Sequence, residues 1–229
     1  MSKQNNIESV IEVKKSKVTD LDSLEQFRLD FLGKKGEISL LMKDLSQLDV
    51  EERKKQAEKL NILKNSVLDF IKNKTNELQD IVLQKATELG VTHITPLITE
   101  RCAVKLDEKR WEKKQQQWQK IIQGACEQSG RNTLPILNPP RSLASWLAES
   151  TTQTRLVLSP GSQQKLSQLT ANSQGFRLLI GPEGGLSESE VHQAEETGFT
   201  GCSLGPRILR TETAALASVS VLQATFGDL

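Results

Sequence analysis

Apolar residues in the first third of the chain recur at spacings of three and four. Leu24, Phe27 and Phe31 fall on one face of a predicted helix, with Asp20 or Asp22 placed to cap its start. Gly33-Lys34-Lys35-Gly36 breaks that helix, and Ile38, Leu41 and Leu45 mark one face of a second, short one. Asp49 is a candidate cap for a third, with Glu51 and Glu52 in its first turn and Leu60, Leu63, Val67, Phe70 and Ile71 as its apolar stripe. Neither glycine nor proline occurs between Asp49 and Gly90. The pattern predicts one long helix there, or a slight kink near residues 73–80, ended by Gly90 as a left-handed cap.

Beyond Gly90 the pattern shortens and becomes β-branched. Thr92–Leu97, Leu134–Leu137, Leu156–Leu158, Phe176–Ile180 and Phe199–Leu204 read as strands. Helices are expected from Asp107 to Gln128, over Arg141–Glu149 with Trp146 inward, and from the capping box Ser187-Glu188-Ser189-Glu190 to Gly198. Thr211 or Thr213 is expected to cap a last helix. Its Ala214, Ala215, Leu216, Ala217, Val219, Val221 and Leu222 are small or apolar and suit close packing, a dimer interface included. Two of the apolar runs stop at glycine-proline turns, Gly181-Pro182-Glu183-Gly184-Gly185 and Gly205-Pro206-Arg207. Short buried strands that end at glycines are where α/β proteins place ligand sites. Neither turn carries the lysine of a phosphate-binding loop or the Gly-x-Gly-x-x-Gly of a dinucleotide fold.

Composition separates two halves. Residues 1–80 hold no proline and two glycines among many Lys, Glu, Leu and Gln, a helical composition. A net charge of +1 with 26% charged residues excludes a uniformly basic nucleic-acid binder, though not a local patch. Such a patch is available around Arg101, Lys105 and Arg131, where a solvated helix face accounts for the same residues equally well. No apolar run reaches the length of a membrane span, and the N-terminus shows no secretory pattern. Cys102, Cys126 and Cys202 lack CxxC spacing, and His93 and His192 stand alone. A cytoplasmic protein with reduced thiols and no metal site is therefore expected.

The stretches LLIGPEGGLS and LGPRILRTETAAL closely resemble the bacterial 16S ribosomal RNA uracil-N3 methyltransferases of the SPOUT class, and the likeness runs from about residue 80 to 229. The resemblance implies an α/β domain in which the two loops form a trefoil knot and hold S-adenosylmethionine. It implies cofactor contacts at Leu158, Ile180, Gly181, Glu183, Gly184, Leu204, Gly205, Ile208, Leu209 and Thr213. Arg210 would stabilise the deprotonated uracil, and Glu212 would accept its proton or hold Arg210; an ion pair that only tightens the loop is the other reading of these two. A homodimer and a 16S RNA or 30S substrate follow from the same likeness. Ser159 and Gly161 stand where relatives usually show a histidine and an arginine, which bears on activity.

Residues 20–78, with the turn LGKKGE at their centre, resemble the N-terminal coiled-coil arm of the phenylalanyl-tRNA synthetase alpha subunit. This implies an antiparallel helical hairpin over 1–79 with a possible tRNA contact through Lys34 and Lys35, ahead of a methyltransferase domain over 80–229. Solvated turn lysines explain the pair as well. The β-barrel and first strand usual in the methyltransferases are not recognisable before residue 80. A fusion that binds cofactor or RNA without efficient catalysis is thus the alternative to an active enzyme.

Overall fold

The computed structural model describes residues 3–102, 108–170, 174–182 and 184–229. The chain divides into two compact units, Met1–Leu78 and Gln79–Leu229.

The first unit is helical. Helix α1 is Lys3–Lys15, α2 is Leu21–Leu32, α3 is Glu37–Asp44, and α4 is Val50–Glu88, 39 residues long, beginning in this unit and ending in the next. Asp20 caps α2 through a reciprocal capping box with Ser23, and the Asp49 carboxylate accepts from the Glu52 amide at 3.0 Å. Helix α1 is not anticipated by the reading above. Ile7 and Ile11, four apart, are the signal, and both are buried with Val18, Leu24, Phe27, Phe31, Ile38, Val67 and Leu78. Phe27 lies edge-on to Phe31 and to Phe70 at ring separations of 4.9 and 5.2 Å. Lys14 pairs with Asp30 at 2.7 Å and holds that carboxyl below its usual range. The unit thus gathers more than the two arms of a hairpin. Lys34 and Lys35 are exposed in the turn between α2 and α3.

The second unit is mixed α/β. Strands β1 (His93–Ile94) and β2 (Leu97–Ile98) take the place of the single strand expected over Thr92–Leu97. They pair in parallel with β3 (Ile136–Leu137) and β4 (Arg141–Ser142) respectively. The interruption has a local cause. Pro96 on one side and Pro139 and Pro140 on the other offer no backbone donor, so both ladders stop at the same level. The Asn138 side chain bridges the gap to the Thr95 hydroxyl at 2.9 Å.

Helix α5 (Glu108–Ser129) follows β2, and its expected cap at Asp107 lies outside the described residues. Trp111, Trp118, Ile122 and Cys126 of α5 bury themselves with Leu83 and Leu137. Asp80 accepts from the Trp118 indole at 2.8 Å and from the Gln117 amide at 2.7 Å. The carbonyls left over at the end of α4 are met from elsewhere. Arg131 donates to Thr87 and Val91, and Gln223 donates to Leu89 at 2.7 Å. Gly90 follows with φ +90°, and a Cβ there would lie 2.0 Å from the Gln223 amide nitrogen.

The last part is a three-stranded sheet in the order β6-β5-β7, all parallel, with β5 at Thr154–Leu158, β6 at Phe176–Leu179 and β7 at Thr200–Cys202. Helix α6 is Leu143–Leu147, capped by Ser142 and shorter than Arg141–Glu149 because Arg141 and Ser142 pair as β4. Helix α7 is Glu188–Glu196 and α8 is Thr211–Phe226. One face of the sheet packs Val157 and Leu179 against Leu143, Trp146, Leu147, Ala194 and Phe199. The other packs Leu156 and Cys202 against Leu166 and Leu222. Helices cover both faces, the arrangement a parallel sheet requires.

Leu156 is fully buried at the centre of this sheet. Leu156→Ala is expected to destabilise the unit by about 2–5 kcal/mol. Urea unfolding of the variant beside the wild type checks this, and an unchanged midpoint would contradict the packing described.

Candidate functional site

Because β5, β6 and β7 are parallel, their carboxyl ends lie at one edge of the sheet. Chain segments 159–165, 180–187 and 203–210 leave from that edge, and α8 begins just beyond the third. Between them is a cleft of about 280 Å³. Six of the residues named from the sequence line it: Leu158, Ile180, Gly181, Leu204, Gly205 and Leu209. Gly184, Ile208 and Thr213 do not; Ile208 is 82% exposed and Thr213 is exposed. Glu183 and Lys105 lie outside the described residues. The cleft also takes in Ser159 and Pro160 from the end of β5, Leu186 and Val191 at the start of α7, and Thr211 and Ala214 of α8. Their common signal is adjacency to a strand end or a helix start, which becomes specific only once the strands are known to be parallel. Arg207 lines the cleft too, from the turn that also contains Gly205 and Pro206.

The first glycine loop is folded tightly on itself. The Gly185 amide donates to the Pro182 carbonyl at 2.8 Å, and Gly185 has φ +68°. A Cβ on Gly181 would lie 2.9 Å from the Leu186 amide nitrogen and 3.1 Å from its Cγ, so only glycine fits.

Two groups, Arg101 and Glu190, tie this loop to the chain segment after β2. Arg101 donates to the carbonyls of Gly184 at 2.7 Å and Leu186 at 3.4 Å. Its guanidinium, read from the sequence as an RNA contact, is engaged with the loop backbone while staying exposed. Arg131, read in the same way, is engaged with the end of α4. Glu190, buried at 5% exposure, accepts from the backbone amides of Ser187 at 2.9 Å and Glu100 at 2.8 Å. A buried carboxylate is tolerable with charge-assisted hydrogen bonds of this kind.

Arg210 is the N-cap residue of α8, extended and without a side-chain cap, so the cap lies one residue before Thr211 and three before Thr213, the two expected from the sequence. Its chain neighbours Leu209 and Thr211 both line the cleft. Glu212 sits in the first turn of α8, where a negative charge is favoured by the helix dipole. Its Oε2 is buried and takes no hydrogen bond from any described residue. Burial also raises the thiol of Cys202, a lining residue, above the usual range. Among the described residues Cys102, Cys126 and Cys202 form no disulfide, and no group of three His, Cys, Asp or Glu is placed to hold a metal ion. No helix among them is long and apolar enough to cross a membrane.

A family model described as an RNA methyltransferase domain matches residues 58–223, well over half of the chain. The chain belongs to the RNA methyltransferase domain family. A second model, the N-terminal domain of class II aminoacyl-tRNA synthetases, matches residues 19–87. Both claim part of α4.

Among relatives of this RNA methyltransferase domain protein is ribosomal RNA small subunit methyltransferase E of Buchnera aphidicola subsp. Schizaphis graminum. It is 39% identical over 155 residues, 67% of this chain and 63% of its own. The solved ribosomal RNA small subunit methyltransferase E from Neisseria gonorrhoeae, bound to S-adenosyl methionine, is 43% identical with a TM-score of 0.63. That match covers 67% of this chain and 63% of the other. A Legionella pneumophila protein solved with the bound cofactor SAM is 47% identical with a TM-score of 0.64, over 66% of this chain and 63% of the other. The RNA methyltransferase domain chain thus spans 63% of the length of each of these relatives.

Replacing Glu190 with alanine in this RNA methyltransferase domain protein leaves two backbone amides without their acceptor. A loss of about 1–3 kcal/mol of stability is expected. Thermal or urea unfolding measures it, and a variant as stable as the wild type would mean that Glu190 is not the brace.

Proposed function

We propose that this protein is an S-adenosylmethionine-dependent methyltransferase acting on N3 of a uridine in small-subunit ribosomal RNA. The observation that carries the reading is the cleft at the carboxyl ends of β5, β6 and β7, bounded by both glycine-proline loops. Its volume lies near the lower end of the ~300–1,000 Å³ usual for small-molecule sites. Leu158, Ile180, Leu204 and Leu209 give it apolar walls suited to a flat purine. Gly181 and Gly205 keep side chains out of the way, and a Cβ on Gly181 could not be accommodated at all. These features fit the cofactor that two solved relatives carry.

When bound, the cofactor would supply an electrophilic methyl group on its sulfonium. The protein's own part is to hold the uridine in line and to handle charge and proton. N3 of uracil carries a proton and is a poor nucleophile until that proton leaves. In this proposal Arg210 stabilises the negative charge that develops on the ring oxygens as the N3 proton departs. Glu212 takes that proton, using a carboxylate oxygen that no other described residue occupies. N3, once relieved of its proton, would take the methyl group that the bound cofactor would supply. The two loops threading as a trefoil knot, a homodimer packed through α8, and action in the cytoplasm on 16S RNA or 30S particles belong to the same proposal. The first unit is proposed as a coiled-coil arm over 1–79, ahead of a methyltransferase domain over 80–229. Exposed Lys34 and Lys35 support a tRNA contact at its α2–α3 turn.

A second reading has support of its own. Ser159 and Pro160 line the cleft, and among the described residues none of its lining side chains is a carboxylate or an imidazole. A domain that holds the cofactor and methylates slowly would look the same. Calorimetric titration with S-adenosylhomocysteine, followed by methyl incorporation into 30S particles and into naked RNA, separates the two. Saturable binding with transfer supports the enzyme. Binding without transfer supports the second reading, and no binding by the folded protein removes both.

Arg210→Ala is expected to abolish methyl transfer while leaving S-adenosylhomocysteine affinity within about tenfold, roughly 1.4 kcal/mol. Transfer at the wild-type rate would remove Arg210 from the mechanism.

A further inference from the structure

Arg207 is the one charged side chain among the described residues that line the cleft. Other arginines of the unit are engaged. Arg101, Arg131 and Arg155 donate to backbone carbonyls, and Arg141 and Arg177 both pair with Glu149. Arg207 is exposed and makes no hydrogen bond, ion pair or ring contact among the described residues. An arginine held in the wall of a cleft with no protein partner is a cation presented outward. Beside it Ile208 is 82% exposed and belongs to none of the unit's apolar clusters. Pro206 fixes the backbone just before both residues.

We infer that residues 206–210 form an RNA-docking rim, in which Arg207 takes a backbone phosphate next to the target nucleotide and Ile208 packs on a ribose or base face. This rests on the proposed RNA methyl transfer. An exposed guanidinium suits a phosphate of a polyanion better than the tail of an enclosed cofactor, because the polyanion reaches the rim and releases its counterions on contact. An exposed aliphatic side chain beside it suits the apolar flank of an unstacked nucleotide. The reading also explains why Ile208, assigned from the sequence to the cofactor, stands outside the cleft lining.

The test measures the salt dependence of binding to a 16S ribosomal RNA transcript by fluorescence anisotropy, without added cofactor. The proteins are wild type, Arg207→Gln, Arg207→Lys and Ile208→Ser, each checked for folding by circular dichroism. Arg207→Gln is expected to reduce the slope of log affinity against log salt by about 0.7–0.9, one phosphate contact, and Arg207→Lys to keep it. Ile208→Ser is expected to weaken binding at every salt concentration with the slope unchanged. A wild-type slope in Arg207→Gln overturns the inference, as does a wild type that binds no RNA. A more than tenfold loss of S-adenosylhomocysteine affinity in Arg207→Gln with the RNA slope intact would assign Arg207 to the cofactor instead. A lost slope increment in a protein that never transfers methyl groups would strike the proposed reaction and leave the rim standing.

Discussion

Parallel pairing of β5 with both β6 and β7 is the constraint on which the site depends. Parallel strands place all their carboxyl ends at one edge, and each return connection must cross a face of the sheet. Segments 159–165, 180–187 and 203–210 therefore meet at a single edge although they are far apart in sequence. The faces have to be covered, which draws α6 and α7 to one side and α8 to the other. The cleft is what remains where the covered sheet stops and the loops turn away.

Such an edge needs loops of definite shape. Gly181 supplies the close approach that any larger residue would block, and Glu190 and Arg101 tie the loop to the segment after β2. The buried charge of Glu190 is tolerated because two backbone amides meet it, and those same bonds fix where α7 begins. By contrast, the stretch 206–210 combines an unpartnered Arg207 with an almost fully exposed Ile208. One loop is braced by protein and the other is presented to solvent, a division of labour suited to a site with one enclosed ligand and one large external one.

The long helix α4 links two recognisable pieces of sequence, and both family models include part of it. A helix lends itself to this. It satisfies its own backbone along its length, so its two ends can serve different cores. Leu60, Val67 and Leu78 are buried in the first unit and Leu83 in the second. The final turn is fastened by Arg131 and Gln223, side chains from residues far along the chain.

Much of this was legible in the sequence. The absence of breakers from Asp49 to Gly90 indicated α4, the Ser187–Glu190 box indicated the start of α7, and the glycine-proline turns marked the cleft. These are local properties, in which a backbone donor, a cap or a positive φ is decided by residues within a few positions. Helix α1 carried a weak signal at Ile7 and Ile11 amid polar residues, because its burial is set by partners in other helices. Pattern alone did not show that a proline pair and a single proline would break two ladders at one level. Nor did it separate Arg101, which holds a loop, from Arg207, which faces the cleft. A guanidinium looks the same in sequence whatever it touches, and only the tertiary packing determined that Arg101 and Arg131 found carbonyls while Arg207 came to line the cleft.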